Sequence, residues 1–184
     1  MPKNKKQRKM IDKVLISFGV VATIVLIGLG GLAWWTHSFT SSTVHSELAT
    51  QKIYFPPKGS PAIAALPVAD QTQMNKYAGD QLLNGDQAKV YANNFIAFHL
   101  TEVAGGQTYA QVSTASLANP TNLTLKAQAA TLFQGETLRG LLLGDAYAFW
   151  TVGMIAQIAA ITLFIAGGVM LLLVLLGLGH LATS

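Results

Sequence analysis

Val14–Trp35 reads VLISFGVVATIVLIGLGGLAWW and contains no ionisable side chain. Wound as an α-helix at 1.5 Å per residue, these 22 residues reach about 33 Å, close to the ~30 Å hydrocarbon thickness of a bilayer. Immediately before the run stand Lys3, Lys5, Lys6, Arg8, Lys9 and Lys13, half of the chain's 12 Lys and Arg. Trp34 and Trp35 close its other end. Basic residues on one flank and indoles on the other are the mark of a membrane helix with its basic end in the cytoplasm. A cleavable signal peptide is the competing reading, because Gly31-Leu32-Ala33 has small-x-small spacing. The apolar run exceeds a signal's 7–15 residues and bulky Trp follows the supposed cut, so an uncleaved anchor is expected.

A second apolar run extends from Ala146 to Leu181. Tyr147, Phe149 and Trp150 open it as another aromatic belt, and only Gln157 and Thr162 interrupt Val152–Leu178. It is longer than a bilayer requires, so it must tilt or protrude. Two spans return the chain to its starting side. The expected organisation is a basic cytoplasmic tail (1–13), spans at 14–35 and 146–181, an extracytoplasmic segment at 36–145, and a short cytoplasmic end at 182–184. That is a multi-pass protein of the plasma (inner) membrane with both termini cytoplasmic.

Composition agrees with this reading. Charged residues are 11% of 184, against ~25% in soluble domains, while apolar residues reach 51%. The net charge of +4 is concentrated in the tail, where it suits anionic headgroups. No aromatic or structured reader of bases accompanies it, so nucleic acid is not an expected partner. The chain holds no cysteine, which removes disulfides, Cys acylation and thiolate metal sites.

Small residues mark the expected helix contacts: Gly19, Gly30 and Gly31 in the first span, Ala156, Ala160, Gly167 and Gly168 in the second. Ala156 and Ala160 share one face at i,i+4, a spacing that lets backbones approach. Gln157 among apolar neighbours is costly unless hydrogen-bonded, so a bond to a neighbouring helix is expected.

Between the spans the pattern is helical. Thr36–Gln51 continues the first helix through Val44 and Leu48, four apart. Ile53-Tyr54-Phe55-Pro56-Pro57 ends it. Lys58–Leu66 reads as a connector and Asp70–Leu83 as a weaker helix. Asp86 is the expected N-cap of an amphipathic helix through Val103, with Ala88, Tyr91, Ala92, Phe95, Ile96, His99, Leu100 and Val103 on one stripe. Gly105-Gly106 stops it. Thr108–Ser113 predicts one short turn with Tyr109 as a plug over the core. Pro120 suits a first helical position, and Gly140 and Gly144 are places where the approach to the second span can bend. The fold class is therefore an all-α membrane protein, two transmembrane helices flanking a mainly helical extracytoplasmic segment.

His45-x-Glu47-Leu48-x-x-Gln51-Lys52-Ile53, Ala104-Gly105-Gly106-Gln107-Thr108-Tyr109-Ala110 and Phe133–Arg139, framed by the two runs, resemble a family of small actinobacterial two-span membrane proteins. The resemblance covers about three quarters of the chain, is weakest at Lys58–Ala69, and implies architecture rather than an activity. Such sequences are sometimes labelled aromatic ring-opening dioxygenases. That chemistry needs iron held by two His and a carboxylate. The histidines are His37, His45, His99 and His180; His99 and Glu102 share a helix face at i,i+3, and only His45 with Glu47 could join them. The label is not supported by this spacing.

Neither a Walker-type loop nor a Gly-x-Ser-x-Gly elbow occurs, and Gly28-Leu29-Gly30-Gly31 lies within a span, where it cannot cradle phosphate. The acids Glu47, Asp70, Asp80, Asp86, Glu102, Glu136 and Asp145 are scattered and read as solvation and capping. Arg139 can pair with Glu136 at i−3 or meet headgroups or a partner. No catalytic residue, metal or cofactor is nominated. The expected function is non-enzymatic: an accessory or structural subunit of a cell-envelope or membrane complex, contacting lipid and another membrane protein or itself. The alternative is an extracytoplasmic ligand-binding or sensing module, and a metal-dependent enzyme ranks last.

Overall fold

In the computed structural model, which describes residues 5–183, the chain is all-α. Lys3 of the basic tail and Ser184 of the short end lie outside the described residues. Helix α1 (Lys5–Gln51) is followed by α2 (Pro61–Ala64), α3 (Val68–Met74) and α4 (Gly85–Val90). A π-helical turn, π1 (Tyr91–Ile96), joins α4 to α5 (Ala97–Ala104). Helix α6 (Tyr109–Ala118) and α7 (Leu123–Leu141) come next, and a second π-helical stretch, π2 (Leu142–Ala148), leads into α8 (Phe149–Thr183). Residues Leu123–Thr183 thus form one unbroken 61-residue helix. The two helices at the ends of the sequence are long and apolar enough to cross a membrane.

The chain divides into two compact units. The first takes α1 as far as Phe39 and α8 from Gly153 onward. Its two helices run antiparallel. A methyl group built on Gly19 would meet Val174, one on Gly30 would meet Phe164, one on Gly167 would meet Ile27, and one on Gly177 would meet Ile16. As numbers rise on one helix they fall on the other. Glycine lets the backbones approach at these points. Thr23, buried in this face, satisfies its hydroxyl on the carbonyl of Gly19 at 2.8 Å. Phe18, Ile24, Ile158 and Leu176 point outward, and each leaves about two thirds or more of its surface uncovered.

The second unit, Thr40–Val152, has its own core. Val44 and Leu48 on α1, Phe55, Ile63, Met74, Leu82, Ala88, Ala92, Val112, Leu132 and Leu142 are buried together. After Gln51 the chain turns through Lys52, a non-glycine residue at φ 53°. Ile53–Phe55 then lies antiparallel to Gly79–Leu82: the Phe55 amide donates to Asp80 O at 2.9 Å and the Leu82 amide to Ile53 O at 2.9 Å. This strap pins Phe55 against Tyr77 and Tyr91, ring centroids 5.4 and 5.3 Å apart.

Several local expectations are corrected. The cap of α4 is Asn84, not Asp86: its side chain accepts from the Gln87 amide at 2.9 Å, and Gln87 Oε1 accepts in return from the Leu83 amide at 2.7 Å. The segment expected as a helix from Asp70 to Leu83 is helical only over Val68–Met74, because its second half is needed in the strap. Lys58–Leu66 contains the short helix α2. Thr108 and Gln111 close a reciprocal capping box that starts a helix of 10 residues, not a single turn. Pro120 stays in the turn, and α7 begins at Leu123 behind the cap of Asn122. Tyr109 is 40% exposed beside Phe133; Val112 is the residue that α6 contributes to the core. Gly105 and Gly106 end α5 with φ of 59° and 83°, values that glycine alone adopts without penalty.

Candidate functional site

Of the residues singled out for helix contacts, Gly19, Gly30, Ala160 and Gly167 lie on the inner faces of the helix pair, Ala156 is half-buried, and Gly31 and Gly168 face open space. Gln157 is half-buried, and its side-chain amide has no hydrogen-bonding partner among the described residues. A polar link between these helices is made elsewhere: His37 Nδ1 stands 3.0 Å from the Gly153 carbonyl oxygen. A carbonyl only accepts, so Nδ1 carries the proton.

Arg139 is held by its neighbours. Nη1 donates to Glu136 Oε2 at 3.3 Å and Nη2 to Asn93 Oδ1 at 3.1 Å. Lys89 Nζ donates to the Tyr147 hydroxyl at 3.0 Å, which pushes the lysine up from its ordinary range. Asn94 Nδ2 donates to Asp70 at 2.6 Å. These links between helices fix the outer polar surface of the second unit.

One concavity of this unit is a groove of about 670 Å³. One wall is the last turns of the helix carrying Thr43, Val44, Glu47, Leu48 and Gln51; the other carries Leu138, Leu141, Leu142, Asp145, Phe149 and Val152. The π-helical stretch π2 contributes Gly144, Asp145 and Ala146 to this second wall. A π turn inserts a residue relative to α-helical register and rotates the residues after it. The lining is apolar apart from Thr43, Gln51 and the two carboxylates, and it holds no Lys, Arg or His. Among the described residues, neither the Glu47 nor the Asp145 carboxylate has an ion-pair or hydrogen-bond partner.

A second concavity of about 530 Å³ is polar, with Ser41, Ser42, His45, Asn84 and Gln87 around Trp150. The Trp150 indole N–H is buried without a partner, and its ring packs over Gly85. His99 is stacked edge-on against Phe95 at 4.5 Å. Among the described residues, no three His, Asp or Glu side chains come together to hold a metal ion, so the His45/Glu47 and His99/Glu102 pairs do not meet.

In the sequence Glu47 and Asp145 are two members of a scattered acidic set. Only tertiary packing brings positions so far apart in the chain to one groove. No protein-family model matches the chain, and neither a curated protein nor a solved structure matches it.

Proposed function

We propose that the chain is a non-enzymatic integral membrane protein, a two-span accessory or structural subunit of a cell-envelope complex. Its spans bracket an extracytoplasmic helical body, and both termini are cytoplasmic. Membrane embedding is supported by the outward Phe, Ile and Leu of the helix pair, whose exposed apolar surface is far beyond what water tolerates. The basic tail sets the orientation. The likeness to small actinobacterial two-span proteins stands as part of the same reading.

The observation that carries the accessory role is apolar surface outside the spans. Leu117 is 80% exposed and Leu123 76%, on either side of the turn between α6 and α7 and outside both expected spans. If the two side chains form one patch, they offer a contact surface for a partner. Chemical crosslinking in cells followed by purification in mild detergent tests this. A partner membrane protein or a second copy is expected, lost from the Leu117→Glu/Leu123→Glu variant; recovery of monomer alone refutes it. The absence of cysteine makes topology accessible. Gln107→Cys should react with an impermeant maleimide on intact cells and Lys6→Cys should not.

The groove favours a second reading, an extracytoplasmic binding module. Its volume is that of a small-ligand site, within the usual 300–1,000 Å³. A ligand-dependent thermal shift of the whole chain is the corresponding measurement.

A further inference from the structure

The groove combines two properties that select one kind of small molecule. Its walls, with Val44, Leu48, Leu142 and Phe149, offer apolar contact; Glu47 and Asp145 offer negative charge with no ion-pair partner among the described residues. We propose that it binds an amphipathic organic cation, a compact apolar body carrying one ammonium, phosphonium or guanidinium centre. This rests on the binding reading and adds the ligand's chemistry to it.

The charge argument is one of differential interaction. An amphiphile of either sign gains from the apolar wall, in proportion to the area it removes from water. Only a cation also gains from the two solvent-exposed carboxylates of the lining, and an anion of the same shape is repelled by both. No cationic side chain lines the groove to reverse that preference.

The groove, at about 670 Å³, falls within the usual range of small-molecule sites.

Tetraphenylphosphonium and tetraphenylborate provide the test, being near-identical in shape and opposite in charge. Each is titrated calorimetrically into the full chain in dodecyl maltoside, with empty micelles subtracted. Saturable one-to-one binding of the phosphonium is expected, with the borate at least tenfold weaker. The Glu47→Gln/Asp145→Asn variant should lose roughly tenfold in phosphonium affinity, an upper figure for two exposed charge pairs. Ala148→Trp, which places an indole in the groove from an exposed position, should abolish binding of both ions. It keeps the test decisive if the double variant fails to fold. Equal binding of both ions, unmoved by neutralising the carboxylates, overturns cation selection and leaves the binding reading standing. Phosphonium binding that survives Ala148→Trp places the site elsewhere and overturns the proposal. Binding of neither ion overturns the proposal and the binding reading together.

Discussion

His37 Nδ1 and the carbonyl oxygen of Gly153, 3.0 Å apart, form a hydrogen bond between the first and last helices of the chain. His37 also packs on Trp34, ring centroids 5.7 Å apart. A donor that leaves its own helix to reach a partner's backbone ties the two together where apolar packing alone has no direction. Interhelical hydrogen bonds in membrane proteins contribute about 0.6 kcal/mol on average and up to about 1.7. His37→Phe keeps a ring of similar bulk and removes the donor. It should lower the stability of the detergent-solubilised protein by an amount in that range, read from denaturant titration followed by tryptophan fluorescence. A variant as stable as the parent would show that the bond adds nothing.

The glycines of the helix pair divide by what faces them. A Cβ on Gly30 would lie 2.9 Å from the Phe164 ring, whereas one on Gly31 meets nothing within 4 Å. Gly30→Leu therefore forces the helices apart, at about 1–3 kcal/mol for overpacking. Gly31→Leu should change the stability of the isolated chain by no more than about 0.5 kcal/mol. Thermal melts of the two variants, side by side, check the contrast. Equal losses would mean that the antiparallel register given by Gly19, Gly30, Gly167 and Gly177 is not the one the helices adopt.

In the second unit Gly85 and Trp150 approach closely. A methyl at Gly85 would fall 2.3 Å from Trp150 Cβ, an atom next to the backbone that cannot swing away. Gly85→Ala is therefore expected to destabilise by about 1–3 kcal/mol despite alanine's better helix propensity. Gly140→Ala, where the added group meets open space, should instead gain up to about 1 kcal/mol. The pair separates packing from propensity. Chemical denaturation of both variants is the measurement, and a gain at Gly85 would contradict the close contact.

The architecture was legible where the physics is local. Length and hydropathy announce the two long helices from composition alone, and the apolar stripe from Ala88 to Leu100 announces the helical run that α4, π1 and α5 realise. Val44 and Leu48 were readable as a continuation of α1 because four-residue spacing puts them on one face. What escaped depends on competition between neighbours. Asn84 and Asp86 are both good caps, and the choice went to Asn84 because Gln87 can answer it three residues on. The Thr108-x-x-Gln111 capping signature is present in the sequence, and it starts a longer helix than the single short turn expected over Thr108–Ser113. Neither π-helical stretch leaves a mark in hydropathy, since inserting one residue changes register and not composition. For the same reason Asp145 could not be paired with Glu47: π2 and the fold of the whole second unit decide that they share a groove.

Tyr91 supplies a pH dependence whose sign is set by burial. Its ring lies edge-on to Phe55 at 5.3 Å and tilted on Phe95 at 5.0 Å. Loss of solvent pushes its hydroxyl above the ordinary tyrosine value of 10.0, because the apolar neighbours disfavour phenolate. In the unfolded chain the same group ionises near 10. Below that pH both states hold the proton and the tyrosine is neutral to the balance. Above it the unfolded chain releases its proton first, which draws the equilibrium toward unfolding until the folded-state value is passed. Stability is therefore fully present below about pH 10 and falls on the alkaline side. Tyr91→Phe removes the ionisation and retains the ring packing. Subtracting the variant's stability from the parent's across pH 8 to 11.5 isolates this tyrosine from the lysines and the other tyrosines. The difference should be flat up to about pH 10 and then turn against the parent; a flat difference throughout would place Tyr91 in contact with water.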